Sequence, residues 1–182
     1  MFRLLDLFCG AGGAAMGYHQ ALEDAGIEHE IVGIDIKPMP HYPFTFIQAD
    51  ALEYGAAHGS EFDFIHASPP CQGYSRMRHL TWLKDKNYPL LIPETRNTLI
   101  NSGADWVIEN VTDSPLNGAE LCGLALGLPL IRHRRFESNR LLMFPPCPGH
   151  PVIFSGSAQM SQKGRDGGVM GVLNGYNARD AL

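Results

Sequence analysis

The chain opens on Arg3-Leu-Leu-Asp-Leu-Phe8, a short apolar run, followed at once by Gly10-Ala-Gly-Gly13 and a helical pattern over residues 14 to 25 that closes at Gly26. An apolar run bounded by turn residues reads as a buried strand, and glycine just past a periodic stretch reads as a helix C-cap. Strand, glycine turn and helix make the first half of a crossover unit, the connection that parallel strands require. The rest of the chain is constrained by that start.

Further strands are expected at Glu30-Ile-Val-Gly-Ile-Asp35, Phe44-Thr-Phe-Ile47 and Phe62-Asp-Phe-Ile-His66, with a helix over 51–58 between the last two. Beyond the junction Ser68-Pro-Pro70, a helix over 93–102 leads to a fifth strand, Trp106-Val-Ile-Glu109. Another helix is expected over 117–126, and a sixth and seventh strand within 130–144. Strands recurring with helical connections predict an α/β fold, a mostly parallel sheet with helices on both faces. Such sheets bind ligands beyond the carboxyl ends of their strands, where the strand order reverses.

Length and charge narrow the function classes. A chain of 182 residues makes one domain with a real core and leaves no room for two. Its net charge of −5 argues against a uniform nucleic-acid glove. That charge is unevenly placed: residues 1 to 70 hold 2 Lys/Arg against 10 Asp/Glu, and residues 71 to 182 hold 12 against 9. A local basic face in the second part therefore fits. No apolar run has the length of a membrane span, and Asp6 falls where a signal peptide needs apolar residues, so a soluble, cytoplasmic protein is expected. Cys9, Cys71, Cys122 and Cys147 form no CxxC pair. Cys147-Pro-Gly-His150 has the look of half a metal site, but no second half follows at suitable spacing, so reduced thiols and no metal are expected. Residues 145–182, rich in glycine from about 155, read as a mobile tail after a domain at 1–144.

Five clusters carry possible chemistry. Gly10 and Gly12 let the backbone turn tightly beside a ligand, and Asp35, ending the second strand, offers a carboxylate to ribose hydroxyls. That pattern suits any adenosine-bearing cofactor; a plain tight turn is its bland alternative. Asp50 can accept from an adenine amino group or cap the helix that follows it. Cys71 lies in Ser68-Pro-Pro-Cys71-Gln72-Gly73, a loop at the ligand edge, and is a candidate nucleophile. Glu109, in Glu109-Asn110-Val111, needs a partner: a substrate ring nitrogen if protonated, or an arginine. Strand alternation sends Arg132, Arg134 and Phe136 of Arg132-His133-Arg134-Arg135-Phe136 to one face and His133 with Arg135 to the other.

Taken together, Asp6-Leu-Phe-Cys-Gly-Ala-Gly-Gly13, Pro69-Pro-Cys-Gln72 and Glu109-Asn-Val111 resemble the DNA cytosine-5 methyltransferases, above all the compact phage-type methylases. The resemblance spans about residues 3 to 137 and implies a Rossmann-like S-adenosylmethionine-dependent fold. It also implies a set of roles. Phe8 would pack on the cofactor adenine, Gly10 and Gly12 would pass its methionine end, Asp35 would hold the ribose and Asp50 the adenine amino group, with Ile36, Ala51 and Pro70 beside them. Cys71 would add to C6 of cytosine, Glu109 would meet ring N3, and Arg132 and Arg134 would steady the base carbonyl and the catalytic loop. The base would be flipped out of a DNA duplex, with Arg76, Arg78, His79, Lys84 and Lys86 in a loop on the phosphates.

Two departures stand out. Leu130 replaces the glutamine that the family carries two residues before the first arginine. The 45 residues after Glu137 leave no room for a target-recognition domain and the Asn-x-Val/Ile-Pro-Pro segment, so a minimal or, in preference, a truncated methylase is expected. Methylation of RNA cytosine, and a catalytically silent binding module of the same fold, are the alternatives.

Overall fold

The computed structural model describes residues 1–75 and 87–149. Its elements are β1 (Phe2–Leu7), α1 (Gly13–Asp24), β2 (His29–Asp35), β3 (Thr45–Gln48), α2 (Ala51–His58), β4 (Phe64–Ala67), α3 (Ile92–Ser102), β5 (Asp105–Asn110), β6 (Ala119–Cys122) and β7 (His133–Ser138). They build one seven-stranded sheet in the order β3-β2-β1-β4-β5-β7-β6. The first five strands pair in parallel, whereas β7 runs antiparallel to both β5 and β6. The order reverses between β1 and β4, which sets the ligand edge at the carboxyl ends of those strands. This is the α/β, Rossmann-like methyltransferase architecture, with an antiparallel end.

Strand β1 is central because both of its faces are apolar. Leu5 and Leu7 join Val32, Ile34, Ile65, Ile108 and Leu99 in one core, while Leu4 joins Ile31, Ala15 and Tyr42 in the other. Alternating leucines thus bind a helical layer on each side, and truncating any one to alanine costs about 2–5 kcal/mol. Local chemistry sets the helix ends. Asp50 caps α2 by accepting from the N–H groups of Leu52 (2.8 Å) and Glu53 (3.1 Å). Pro93 sits in the first turn of α3, and Gly103 ends it with φ 74°.

Two sequence expectations fail here. Instead of a helix over 117–126, the chain forms β6 and a 3₁₀ turn, Gly123–Leu126. The cause is tertiary: β6 pairs along β7, and at Gly118 the backbones approach so closely that an added Cβ would lie 1.9 Å from the Phe136 carbonyl oxygen. Within 130–144 there is one strand, β7, rather than two. Its continuation is cut short because Asn139 takes over the pairing, accepting from the Trp106 N–H (2.9 Å) and donating to the Ala104 carbonyl (3.0 Å). Arg96 of α3 fixes β7 from the other side through a two-pronged bond to Glu137, at 2.5 and 2.8 Å. Among the described residues no helix is long and apolar enough to cross a membrane.

Candidate active site

Residues from β1 and β2 build one half of the ligand edge. After β1 the backbone turns at Phe8, which holds φ 59°, a left-handed conformation that costs a side-chain-bearing residue about 1 kcal/mol or more. Neighbours hold it there: the Ser68 hydroxyl donates to the Phe8 carbonyl (3.3 Å), and the Cys9 N–H donates to Ile34 (3.0 Å). Gly10 follows at φ 51°, and a Cβ there would meet nothing within 4 Å. Its N–H donates to Asp35 Oδ2 (3.1 Å), while Oδ1 of the same carboxylate accepts from the Lys37 N–H (3.0 Å). Asp35 is thereby aimed along the turn with lone pairs to spare. Ile36 beside it is 66% exposed, an apolar surface next to a carboxylate. Open space at Gly10, a ribose-type acceptor and an exposed aliphatic face fit an adenosine group.

The remaining expected cofactor residues divide by surroundings. Gly12 serves packing, since a Cβ on it would lie 2.6 Å from Pro43 Cδ. Asp50 performs the capping role with Oδ1 and stays exposed. Ala51 is buried, with its side chain in the larger core, and Pro70 is half-buried in the loop before Cys71.

Asp6, which opens the Asp6–Gly13 motif and to which the sequence assigns no site role of its own, is fully buried. Tyr42 donates its hydroxyl to Asp6 Oδ2 (3.2 Å), and Oδ1 has no partner among the described residues. Burial, reinforced by Asp35 and opposed by the Tyr42 hydrogen bond, pushes the carboxyl from 3.8 up to about 7. Below the lower value it is protonated folded and unfolded; above the higher it is ionised in both, and burial penalises the ionised form. Stability should therefore fall as pH rises between the two, by roughly 4 kcal/mol for the full shift. Urea unfolding across that range should show this slope in the wild type and a flatter one in Asp6→Asn. Parallel profiles would assign it to other groups.

The second half comes from β4, β5 and β7. Cys71 is half-buried, and its carbonyl accepts from the N–H groups of Tyr74 (3.0 Å) and Ser75 (2.9 Å), winding the loop into a turn. Asn110, fully buried at the end of β5, donates from Nδ2 to the Pro69 carbonyl (2.8 Å) and accepts from the Val111 N–H (2.9 Å). The Pro-Pro-Cys loop is pinned to β5 by that one side chain, a positioning role that the sequence alone did not assign to it. Glu109, one residue earlier, pairs with Arg134 at 2.5 Å. Burial raises the Glu109 carboxyl above its ordinary range, against the pull of Arg134 and Arg132. Arg132 lies within electrostatic reach of Arg134, Glu109 and Cys71.

Thus Glu109 and Arg134 pair at the end of β5, and Arg132 senses both Glu109 and Cys71, although Cys71 and Arg134 lie 63 positions apart in the chain. Antiparallel β7 makes this possible, because its first residues lie beside the last residues of β5. At the Cys9 thiol, burial first, then Asp6 and Asp35, push the pKa up to about 12, which leaves it unreactive. Basic residues Arg76, Arg78, His79, Lys84 and Lys86 lie outside the described residues, as does the tail beyond 149.

Residues 2–113 match the sequence profile of a family described as C-5 cytosine-specific DNA methylase. A solved structure described as a conserved hypothetical protein of Streptococcus pyogenes is similar at 16% identity and a TM-score of 0.43, over 76% of this chain and 86% of that one. No curated protein matches the chain significantly.

Proposed function

This chain belongs to the family of C-5 cytosine-specific DNA methylases, and on that premise we propose that it methylates C5 of cytosine in DNA through a covalent Cys71 adduct, with S-adenosylmethionine as donor. The observation that supports the proposal is the Glu109–Arg134 ion pair at the end of β5, with Arg132 in electrostatic reach of both Glu109 and Cys71 and the loop before Cys71 tied to the same strand end by Asn110. Bound at the Gly10–Asp35 turn, S-adenosylmethionine supplies an electrophilic methyl group. Asp35 would hold the ribose hydroxyls, the open backbone at Gly10 would admit the chain of the donor, and Ile36 would cover a ring face.

Cytosine C5 is a poor nucleophile while the ring is aromatic. Cys71 Sγ forms a bond to C6 of a base flipped out of the duplex, and the electron pair of the C5–C6 double bond moves toward C5 and, through the ring, to N3 and O2. Glu109, whose carboxyl is shifted upward by burial, would donate at N3 as that charge develops, and Arg134 holds the carboxyl in place. Arg132 stabilises the carbonyl oxygen and the thiolate. C5 would then take the methyl group as the donor's S–CH3 bond breaks and S-adenosylhomocysteine leaves. Loss of the C5 proton to a base restores the C5–C6 double bond as the C6–S bond breaks, N3 gives its proton back to Glu109, and Cys71 leaves as thiolate from 5-methylcytosine.

The test uses methyl-labelled donor with duplex DNA and, in parallel, tRNA, together with a duplex containing 5-fluorocytosine, which cannot lose a C5 proton. Label in DNA and a denaturant-stable protein–DNA adduct are the expected results. Preference for tRNA would move the substrate to RNA, and absence of adduct and label would mark a binding module.

A further inference from the structure

Cys122 ends β6 and His133 begins β7, and the two face each other directly across the antiparallel ladder. Cys147 arrives from the segment that follows β7, whose return is held by the ring contact between Phe136 and Phe144, with centroids 5.3 Å apart. The two thiol sulfurs and an imidazole nitrogen all lie within 4.8 Å of one another. Cys122 is buried, His133 half-buried and Cys147 exposed, so the cluster opens at one side toward solvent. All three cysteines outside the candidate active site, Cys9 included, are free thiols.

We propose that Cys122, His133 and Cys147 form a structural zinc site that clamps the β6–β7 hairpin behind the active-site arginines. Two thiolates and a neutral imidazole are a soft donor set that selects Zn²⁺ over Mg²⁺ or Ca²⁺ and balances its charge. Zinc bonds of about 2.0–2.3 Å in tetrahedral array place donor atoms about 3.5–4 Å apart, and the present donors all lie within 4.8 Å of one another. A fourth position remains for water. The sequence offered no second half for the Cys147-Pro-Gly-His150 motif because the other donors come from two facing strands rather than from one loop.

The site also has a structural logic. Strand alternation puts His133 on the face opposite Arg134, and Arg135, on the His133 face, pairs with Glu120 across from it. The clamp therefore holds the start of β7 without competing for Arg134, which pairs with Glu109. β6 is the sheet's edge strand and four residues long, so ladder hydrogen bonds alone hold it weakly.

The whole chain is purified under reducing conditions, stripped with chelator, refilled with zinc alone and desalted, and its metal is counted by plasma mass spectrometry. About one zinc per chain is expected for the wild type and for Cys71→Ser, falling at least about tenfold in Cys147→Ser and His133→Asn. Cys147 is exposed, so its variant should stay folded by circular dichroism. Cobalt in place of zinc should give the visible bands of tetrahedral thiolate coordination, lost in the same variants. Chelator should lower the melting temperature of the wild type and leave that of Cys147→Ser unmoved. Full zinc in Cys147→Ser, no zinc in the refilled wild type, or a Cys122–Cys147 disulfide in place of metal would each overturn the site.

Discussion

Cys71→Ser is expected to lower methyl transfer to duplex DNA by about a thousandfold or more and to abolish the 5-fluorocytosine adduct. A hydroxyl in the same place ionises far less readily than a thiol and is a weaker nucleophile toward C6, so the addition that activates C5 fails. The fold should not suffer. What Cys71 contributes to the loop is its carbonyl, which holds Tyr74 and Ser75, and the substitution leaves that in place. Donor binding measured by calorimetry and the melting temperature should therefore match the wild type. Cys9→Ala provides the contrast: its buried thiol, pushed up to about 12, is no nucleophile, and the adduct should still form. Label transfer at more than a tenth of the wild-type rate in Cys71→Ser would remove the covalent route.

Glu109→Gln is expected to reduce kcat by about a hundredfold to ten-thousandfold, the usual worth of a positioned general acid. The amide keeps a hydrogen bond to N3 but has no proton to transfer, and it leaves Arg134 without its counter-charge. The pH profile separates this from a structural effect. Because burial holds the Glu109 carboxyl above the ordinary carboxylate range, its protonated form persists to higher pH and then declines as pH rises through the raised value. Wild-type activity should accordingly fall along an alkaline limb that Glu109→Gln lacks. An identical limb in both proteins, or a loss below tenfold, would give the proton donation to another group.

Much of this architecture is legible in the chain because its strands are apolar on both faces and its helices carry strong end signals. The helix over 51–58 is read to the residue, since Asp50 announces its start and the backbone obeys. Residues 117–126 are misread for the opposite reason: Leu-Cys-Gly-Leu-Ala-Leu-Gly is apolar at short range, and only the contact with β7 decides between turn and strand. Cys71, Glu109 and Arg134 are visible as types of residue at strand ends, and their convergence follows from sheet order. The burial of Asp6 under Tyr42 is not visible, because Tyr42 belongs to a connection between β2 and β3 with no periodicity of its own. Asn110 is visible in sequence as the middle of Glu109-Asn110-Val111, but nothing there shows that its side chain reaches the Pro69 carbonyl.

The sheet order also dictates when the active centre becomes complete. β7 slots between β5 and β6, although β6 precedes it in the chain, and among the described residues β6 pairs with β7 alone. On the ribosome, the parallel strands with Cys71 and Glu109 emerge first, and β6 then waits unpaired until the segment starting at His133 arrives. During that interval β5 presents an open edge and Glu109 lacks its cation. Synthesis from the amino end thus delivers Cys71 and Glu109 before Arg132 and Arg134, and the Glu109–Arg134 ion pair forms only once β7 is in place beside β5.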